Sequence, residues 1–473
     1  MDLIIRTIAN CKNCYKCVRT CPVKAVRFAD GQAEVVEDRC LGCGECVLAC
    51  PQKAKKFAME GFNRFRSWLG RERVIVSLAP SAAGYFGDLD DLYAWLKKNG
   101  VEAVRETAEG AELVAHAYRQ WLNDHPEQPW VTANCPVVVG LFEKHHPELL
   151  KYLAPIVSPI VAHGRLIKKI YGPKVKVVMV GPCPAKSFEV RDPHFADAVD
   201  AVVTFDQLAQ IYDSQVNIRE SYDESVREKN EHLSRLFPLP GGMLPAAEEE
   251  MDWESLVLHG MEDLQLLIES LTKGEILPDI VEALGCRQGC LGGFSFRQQG
   301  RSLGLTQRFL SMINKWPETD WNPENVNLYR EYKNKKWGKT LPTERQIRQV
   351  LQESGKYKTS DELNCGACGY SSCREKAIAV CQGMAEVGMC MPYMESKAES
   401  LSNQIIEATP HAVVLVDRQM KIREFNPSAE LFFGVNRNDI LGQSMETVIP
   451  VDNFRWVART REPIFDKKVS YPQ

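Results

Sequence analysis

Residues 175–189 read VKVVMVGPCPAKSFE. The short β-branched run stops at the turn signals Gly181 and Pro182, so it predicts a strand that ends in a cysteine-bearing turn. The same pattern recurs in RVIVSLAP (73–80) and DAVVTFD (200–206), with helical segments such as DLDDLYAWLKKNG (88–100) between them. Strands alternating with helices predict mostly parallel sheets, whose strand ends and following loops are where sites form. Two further junctions carry cysteines, WVTANCPVV (130–138) and EALGCRQGCLGG (282–293). Four thiolates drawn from three loops, Cys135, Cys183, Cys286 and Cys290, would bind one cubane; four unrelated core cysteines are the other reading.

The chain has 473 residues, enough for two to four domains. A quarter of the residues are charged and the net charge is -4, which gives no broad basic field for nucleic acid. No run approaches the length of a membrane span and the first residues lack a secretory core, so a cytoplasmic location is expected. In such a chain 17 cysteines argue for metal ligation over disulfides.

CKNCYKCVRTCP (11–22) and CLGCGECVLACP (40–51) repeat one C-x2-C-x2-C-x3-C-P run. In that run three thiolates wrap one cluster and the fourth reaches the neighbouring one. Cys11, Cys14, Cys17 and Cys50 are therefore expected to hold one 4Fe-4S cluster, and Cys40, Cys43, Cys46 and Cys21 the other. A zinc site would rarely use this doubled spacing. Clusters of this kind pass single electrons and leave no position open for a substrate.

LNCGACGYSSCREKAIAVCQGMAEVGMC (363–390) frames another cluster through Cys365, Cys368, Cys373 and Cys390. It resembles the single four-iron domain of corrinoid and redox-complex proteins. Cys381 is surplus and reads as a small buried residue on the intervening helix. Thr343 and Gln346 form a capping-box start for a helix that packs Ile347, Val350 and Leu351. MPYMESKAESLSNQIIEAT (391–409) sets Met394, Ala398, Leu401, Ile405 and Ala408 on one stripe, as in a short signalling coiled coil or a packed surface helix. Residues 411–443 then read as strand, polar turn at Asp417, strand, and a helix start at Asn426, and resemble a PAS domain. The sequence ends where later PAS strands would follow, so a longer output region is expected. His411 reads as a surface residue.

The central segments resemble, in order, the signature loops of the iron-only (FeFe) hydrogenases: LAPS (78–81), TANCP (132–136), GPCPAKSFE (181–189) and EALGCRQGCLGG (282–293). DAVVTFDQLAQIY (200–212), PLPGGMLPAA (238–247) and NPENVNLYREY (322–332) also fall where the family has comparable segments. The resemblance implies that Cys135, Cys183, Cys286 and Cys290 ligate the cubane of an H-cluster. Cys290 would also bridge to a di-iron unit bearing CO, cyanide and azadithiolate. Ala79, Pro80 and Ser81 would form one cyanide-binding turn, Pro182 and Lys186 would hold the other cyanide, and Glu189 would support Lys186. Gly292 and Gly293 would let backbone approach.

The chain departs from the catalytic members at several points. Asn134 stands where they carry the proton-relay cysteine, and an amide cannot give and regain a proton near neutral pH. The relay serine falls on Ala154. Glu109 and Glu112 occupy the relay-glutamate positions, either as relay groups or as a solvated helix face, and His116 replaces the arginine beyond them. Gly181 and Leu284 stand for two methionines, and Ile160 for a glutamine-like position.

Together these features resemble the sensory branch of the family. The expected organisation is α/β multidomain: a double-cluster ferredoxin-like module (1–60), a two-lobed α/β H-cluster domain (71–330), a small helical iron-sulfur domain (341–395), and a signalling helix with a partial α+β PAS domain (396–473). The expected activity is slow heterolytic H2 cleavage used as a hydrogen or redox signal, with three accessory 4Fe-4S clusters besides the H-cluster. Expected partners are H2 and protons, ferredoxin or another redox partner, maturation proteins, a downstream signalling protein or output domain, and a second copy of the chain. Alternatives are a metabolic ferredoxin-linked hydrogenase and an iron-sulfur protein without the di-iron unit.

Overall fold

The computed structural model describes residues 4–6, 11–87, 89–212, 233–243, 245, 253–300, 304–313, 326–338, 341–465 and 468. Parts of the PLPGGMLPAA and NPENVNLYREY segments lie outside them. The chain divides into two compact units, the first formed by 1–351 with 362–386 and the second by 352–361 with 387–473.

The first unit opens with the ferredoxin-like module. Strands β1 (Ile4–Arg6), β2 (Val26–Ala29), β3 (Gln32–Val35) and β4 (Lys55–Phe57) form two antiparallel pairs, β1 with β4 and β2 with β3. The short helices Lys16–Thr20 and Glu45–Leu48 lie inside the two cysteine runs.

Next come β5 (Val74–Leu78), β6 (Val101–Glu106), β7 (Trp130–Val131), β8 (Lys176–Gly181), β9 (Ala201–Thr204), β10 (Ser255–His259) and β11 (Ile280–Leu284). They make two wholly parallel sheets, β6-β5-β8-β9 and β10-β11-β7. Strands β5, β9 and β11 are buried at every residue, which is why their sequences run apolar without alternation. Each sheet carries its own core. One gathers Ile75, Val76, Val178, Val203 and Phe205; the other gathers Val137, Leu141, Phe142, Leu267 and Val281. The two-lobed expectation follows from this division.

The helices that matter for the site are α1 (Thr107–Asp124), α2 (Pro136–His145), α3 (Pro159–Tyr171) and α4 (Lys186–Val190). Proline at the first helical position starts α2 and α3 without losing a needed N–H. A Cβ on Gly110 of α1 would lie 2.2 Å from the Pro159 carbonyl oxygen and 2.7 Å from the Cβ of His163, so only glycine lets α1 and α3 touch there.

Further along are α5 (Glu344–Glu353) and α6 (Cys373–Cys381). The capping box forms as expected, with the Thr343 backbone N–H donating to Gln346 Oε1 at 2.8 Å. Ile347 and Leu351 of α5 bury against Ala377 of α6. Cys381 corrects the sequence reading. It is exposed, as the last residue of its helix.

In the second unit, α7 (Met391–Ala408) has no buried residue, and its stripe of Met394, Leu401 and Ile405 is exposed. β12 (Val414–Val416) pairs antiparallel with β13 (Ile422–Phe425) around a turn in which Asp417 accepts from the backbone N–H of Gln419 and Lys421. Asn426 caps α8 (Pro427–Phe433) by accepting from the Ala429 N–H at 2.9 Å. Ile422, Phe425, Ala429 and Met445 form the core here. His411 is exposed, as expected. No helix among the described residues is long and apolar enough to cross a membrane.

Candidate functional site

The three cysteine-bearing junctions converge. Strand β7 ends at Val131, from which Thr132, Ala133 and Asn134 lead to Cys135; β8 ends at Gly181, two residues before Cys183; β11 ends at Leu284, two residues before Cys286. Cys135, Cys183, Cys286 and Cys290 line one cavity together with Ala79, Pro80, Ser81, Asn134, Pro182 and Lys186. Burial pushes the thiols of Cys183, Cys286 and Cys290 up, Cys183 to about 11 and Cys290 to about 12, and the neighbouring cysteines of the set push in the same direction. Four thiolates crowded into one buried pocket would need a cationic partner, which iron would supply. Among the described residues no three His, Cys, Asp or Glu side chains close around a single metal ion. A cubane does not ask for that, since each thiolate takes a different iron. The donor set fits such a cluster.

Two polar groups point at the remaining space. Lys186 is buried and donates from Nζ to the Asn134 carbonyl and to Glu189 Oε2, each at 3.0 Å. Glu189 Oε1 also lies 3.6 Å from Arg330 Nη1. Ser81 is fully buried and its hydroxyl has no hydrogen-bond partner, a cost of about 1–3 kcal/mol that a bound acceptor would relieve. These unspent donors fit anionic ligands such as cyanide.

Asn134 donates from Nδ2 to Met243 Sδ at 3.0 Å, while its Oδ1 is buried without a partner. Ala154 is buried, with nothing to exchange. Glu109 is buried off the cavity wall and accepts from Arg105 Nε at 3.0 Å; burial raises its pKa against the pull of Arg105. Glu112 is half-buried on the same helix, and His116 is exposed.

The glycines divide. Gly293 lines the cavity, but Gly292 faces a neighbouring cleft on the Cys286 side. A Cβ on Gly292 would sit 1.6 Å from the Arg287 carbonyl oxygen, so glycine is demanded there by the loop's own backbone. Beside Gly181, the space a side chain would fill is taken by Met179, whose Cε lies 2.3 Å from an ideal Cβ at 181. Residues two apart on a strand share a face, and Met179 thus presents a thioether to the cavity from the neighbouring position on the same strand.

One wall residue and one buried ion pair away from the wall escaped the sequence reading. Glu282 is buried and accepts from the backbone N–H of Gly241 (3.0 Å) and Met243 (3.3 Å), fastening that segment over Asn134. Its signal was a lone carboxylate inside the apolar run IVEAL. Arg235 grips buried Glu106 through two bonds of 2.9 and 2.7 Å, a pairing 129 residues apart in sequence with no local mark.

In the ferredoxin-like module the thiols of Cys40, Cys43 and Cys46 are each raised first by burial and then by Cys21 among other neighbours, while Cys17 is raised by burial and by Cys11 and Cys14. The sulfurs of Cys14 and Cys50 both reach Gln52 Oε1, at 3.7 and 3.9 Å. Cys21 thus lies in the field of the second run, and Cys50 shares Gln52 with Cys14 of the first. Cys43 also lies in the field of Cys286, which brings the module beside the central site. Of the third group, Cys365, Cys368 and Cys373 belong to the first unit and Cys390 to the second.

Residues 72–294 match the family described as "Iron only hydrogenase large subunit, C-terminal domain". Residues 3–51 match a 4Fe-4S dicluster domain, 361–392 a putative Fe-S cluster, and 401–472 the PAS fold. Among curated proteins, the chain is 24% identical over 343 residues to the NADP-reducing hydrogenase subunit HndD of Solidesulfovibrio fructosivorans, covering 60% of this chain and 55% of that one. It is 23% identical over 340 residues to the nuclear prelamin A recognition factor of Danio rerio, covering 55% and 72%. The chain thus spans about half the length of HndD. Among solved structures, a variant of FeFe-hydrogenase HydA1 from Chlamydomonas reinhardtii aligns with TM-score 0.40 at 18% identity, over 54% of this chain and 88% of that one. The structure describing stepwise H-cluster assembly in HydA(deltaEFG) aligns with TM-score 0.41 at 19% identity over the same shares.

Proposed function

We propose that this chain, an FeFe-hydrogenase-like protein with a PAS domain, is a slow hydrogenase that reports hydrogen or redox state. The reading rests on one observation: four cysteines from three strand ends share a cavity with a buried lysine and an unpartnered serine hydroxyl. Cys135, Cys183, Cys286 and Cys290 would hold a cubane, with Cys290 also bridging to a di-iron unit. When bound, that unit supplies heterolytic cleavage of H2. Lys186 would donate to one cyanide, and Ser81, in the turn begun by Ala79 and Pro80, to the other; the Pro182 turn shapes the wall between them. Asn134, at the position the resemblance gives to the relay cysteine, carries no ionisable group, which supports low turnover.

Cys11, Cys14, Cys17 and Cys50, with Cys21, Cys40, Cys43 and Cys46, would hold two accessory clusters that exchange electrons with ferredoxin or another redox partner. Cys365, Cys368, Cys373 and Cys390 would hold a third. Helix α7 steps Met391, Met394, Ala398, Leu401, Ile405 and Ala408 in alternating threes and fours, all exposed. That is the seam of a two-stranded coiled coil, so a second copy of the chain would pair there and pass the signal to an output partner through the PAS region.

The test is infrared spectroscopy of the protein produced with hydrogenase maturation proteins, with turnover measured on the same sample. Bands of CO and cyanide with slow H2 oxidation are expected. Absence of those bands would leave an iron-sulfur protein without the di-iron unit. A rate equal to that of catalytic hydrogenases would point instead to metabolic hydrogen turnover.

A further inference from the structure

A buried hydrogen-bonded chain runs away from the cavity wall. Thr107, the first residue of α1, lines the cavity. Its Oγ1 lies 2.8 Å from Ser77 Oγ on β5, and Ser77 Oγ lies 2.8 Å from His163 Nδ1 on α3. His163 Nε2 is buried without a hydrogen-bond partner and faces Glu109 Oε1 at 3.9 Å. Glu109 in turn is held by Arg105, whose side chain retains some exposure. The close approach of α1 and α3 at Gly110 sets His163 against Glu109. Four polar side chains in a line through an apolar core is a costly arrangement with no packing rationale.

We infer that Thr107, Ser77 and His163 form a proton conduit between the cavity and Glu109, in place of the route that Asn134 interrupts. The inference rests on the function proposed above. For outward transfer, a proton arrives on Thr107 Oγ1 and the hydroxyl proton of Thr107 moves to Ser77. The hydroxyl proton of Ser77 moves to His163 Nδ1, and the Nε2 proton of His163 passes to the Glu109 carboxylate as the two close their gap. One proton enters and one leaves; each hydroxyl still carries one, and the imidazole stays neutral in its other tautomer. Burial holds this imidazole neutral, with its pKa lowered to about 3, so it relays without storing charge. Before a second proton follows, the buried ring has to return to its first tautomer, which makes the conduit slow.

The experiment compares the loaded full-length protein with Thr107→Val, Ser77→Ala, His163→Gln and Glu109→Gln. Glutamine keeps a hydrogen bond to Ser77 but cannot pass a proton through itself. Difference spectra under H2 minus argon, in H2O and D2O, are expected to contain a carboxylic-acid band that shifts with deuterium and disappears in Glu109→Gln. In His163→Gln and Thr107→Val that band is expected to form at least about tenfold more slowly, with CO and cyanide bands unchanged. Unchanged band kinetics in both of these variants would overturn the conduit while leaving the hydrogenase reading intact. Absence of CO and cyanide bands in the unmodified protein would overturn both. If one variant fails to load, the other decides, since they alter different elements of the fold.

Discussion

Lys186 Nζ and Glu189 Oε2 lie 3.0 Å apart on a single turn of α4, both buried. The pair fixes an ammonium group at the cavity wall where it also holds the Asn134 carbonyl. Removing one partner of a buried pair costs about 3–5 kcal/mol, softened here because Arg330 also faces Glu189. Lys186→Met is expected to keep its four cysteines and its iron-sulfur content yet lose the CO and cyanide bands. Iron analysis beside infrared spectra checks this, and intact bands would remove Lys186 from the ligand-holding role.

Asn134 is the simplest site for repair. Its amide spends one donor on Met243 Sδ and leaves an oxygen unsatisfied. Asn134→Cys is expected to raise H2 oxidation at least about tenfold, since a positioned acid-base group is commonly worth about 10²- to 10⁴-fold. Turnover with an artificial electron acceptor measures it; an unchanged rate would mean that proton transfer at this position does not limit the enzyme.

Acid sensitivity should follow His145. Burial lowers its pKa to about 4 from an ordinary 6.5, and its Nε2–H donates to the Arg39 carbonyl at 2.9 Å. The fold therefore favours the neutral ring. Its contribution is fully present above pH 6.5 and is lost as pH falls toward 4, reaching roughly 3 kcal/mol. His145→Gln is expected to flatten the fall of thermal midpoint between pH 7 and pH 4.5. Parallel curves for the two proteins would show that the ring is not the acid-sensitive element.

Lys356 is buried with its ammonium 3.3 Å from Cys390 Sγ and 3.0 Å from the Ser354 carbonyl. A positive charge beside a cluster thiolate stabilises the more negative, reduced state. If Cys390 holds a cluster as proposed, Lys356→Gln is expected to lower the reduction potential of that cluster alone, as followed by paramagnetic resonance during a redox titration. Equal shifts in every cluster, or none, would separate Lys356 from that cluster.

The exposed seam of α7 makes its own prediction. Leu401→Asp and Ile405→Asp are expected to convert a dimer to a monomer in sedimentation while leaving iron content unchanged. A monomeric unmodified protein would refute pairing through this helix.

The parallel sheets and the cysteine junctions were legible because they are written locally. Runs such as KVVMVG end in turn residues, and the cysteines stand at those ends. Lys186 and Ser81 were legible through motif resemblance, and the PAS helix through the cap at Asn426. What stayed hidden depends on distant segments meeting. Ser77 sits inside an apolar strand and His163 inside a helix 86 residues away; neither position has a local pattern that announces the other. Met179 taking the place beside Gly181 is a matter of side-chain volume, and Cys381 was misjudged because it is the last residue of its helix, one turn beyond the buried Ala377.

Cys390 is the residue from which α7 starts, and its sulfur takes no part in capping the helix. An iron held there would clamp the first turn of the rod that leads to the PAS fold. Oxygen damage that strips that iron would free the rod at its root, so a poisoned protein and an idle one would send different messages even when neither meets hydrogen.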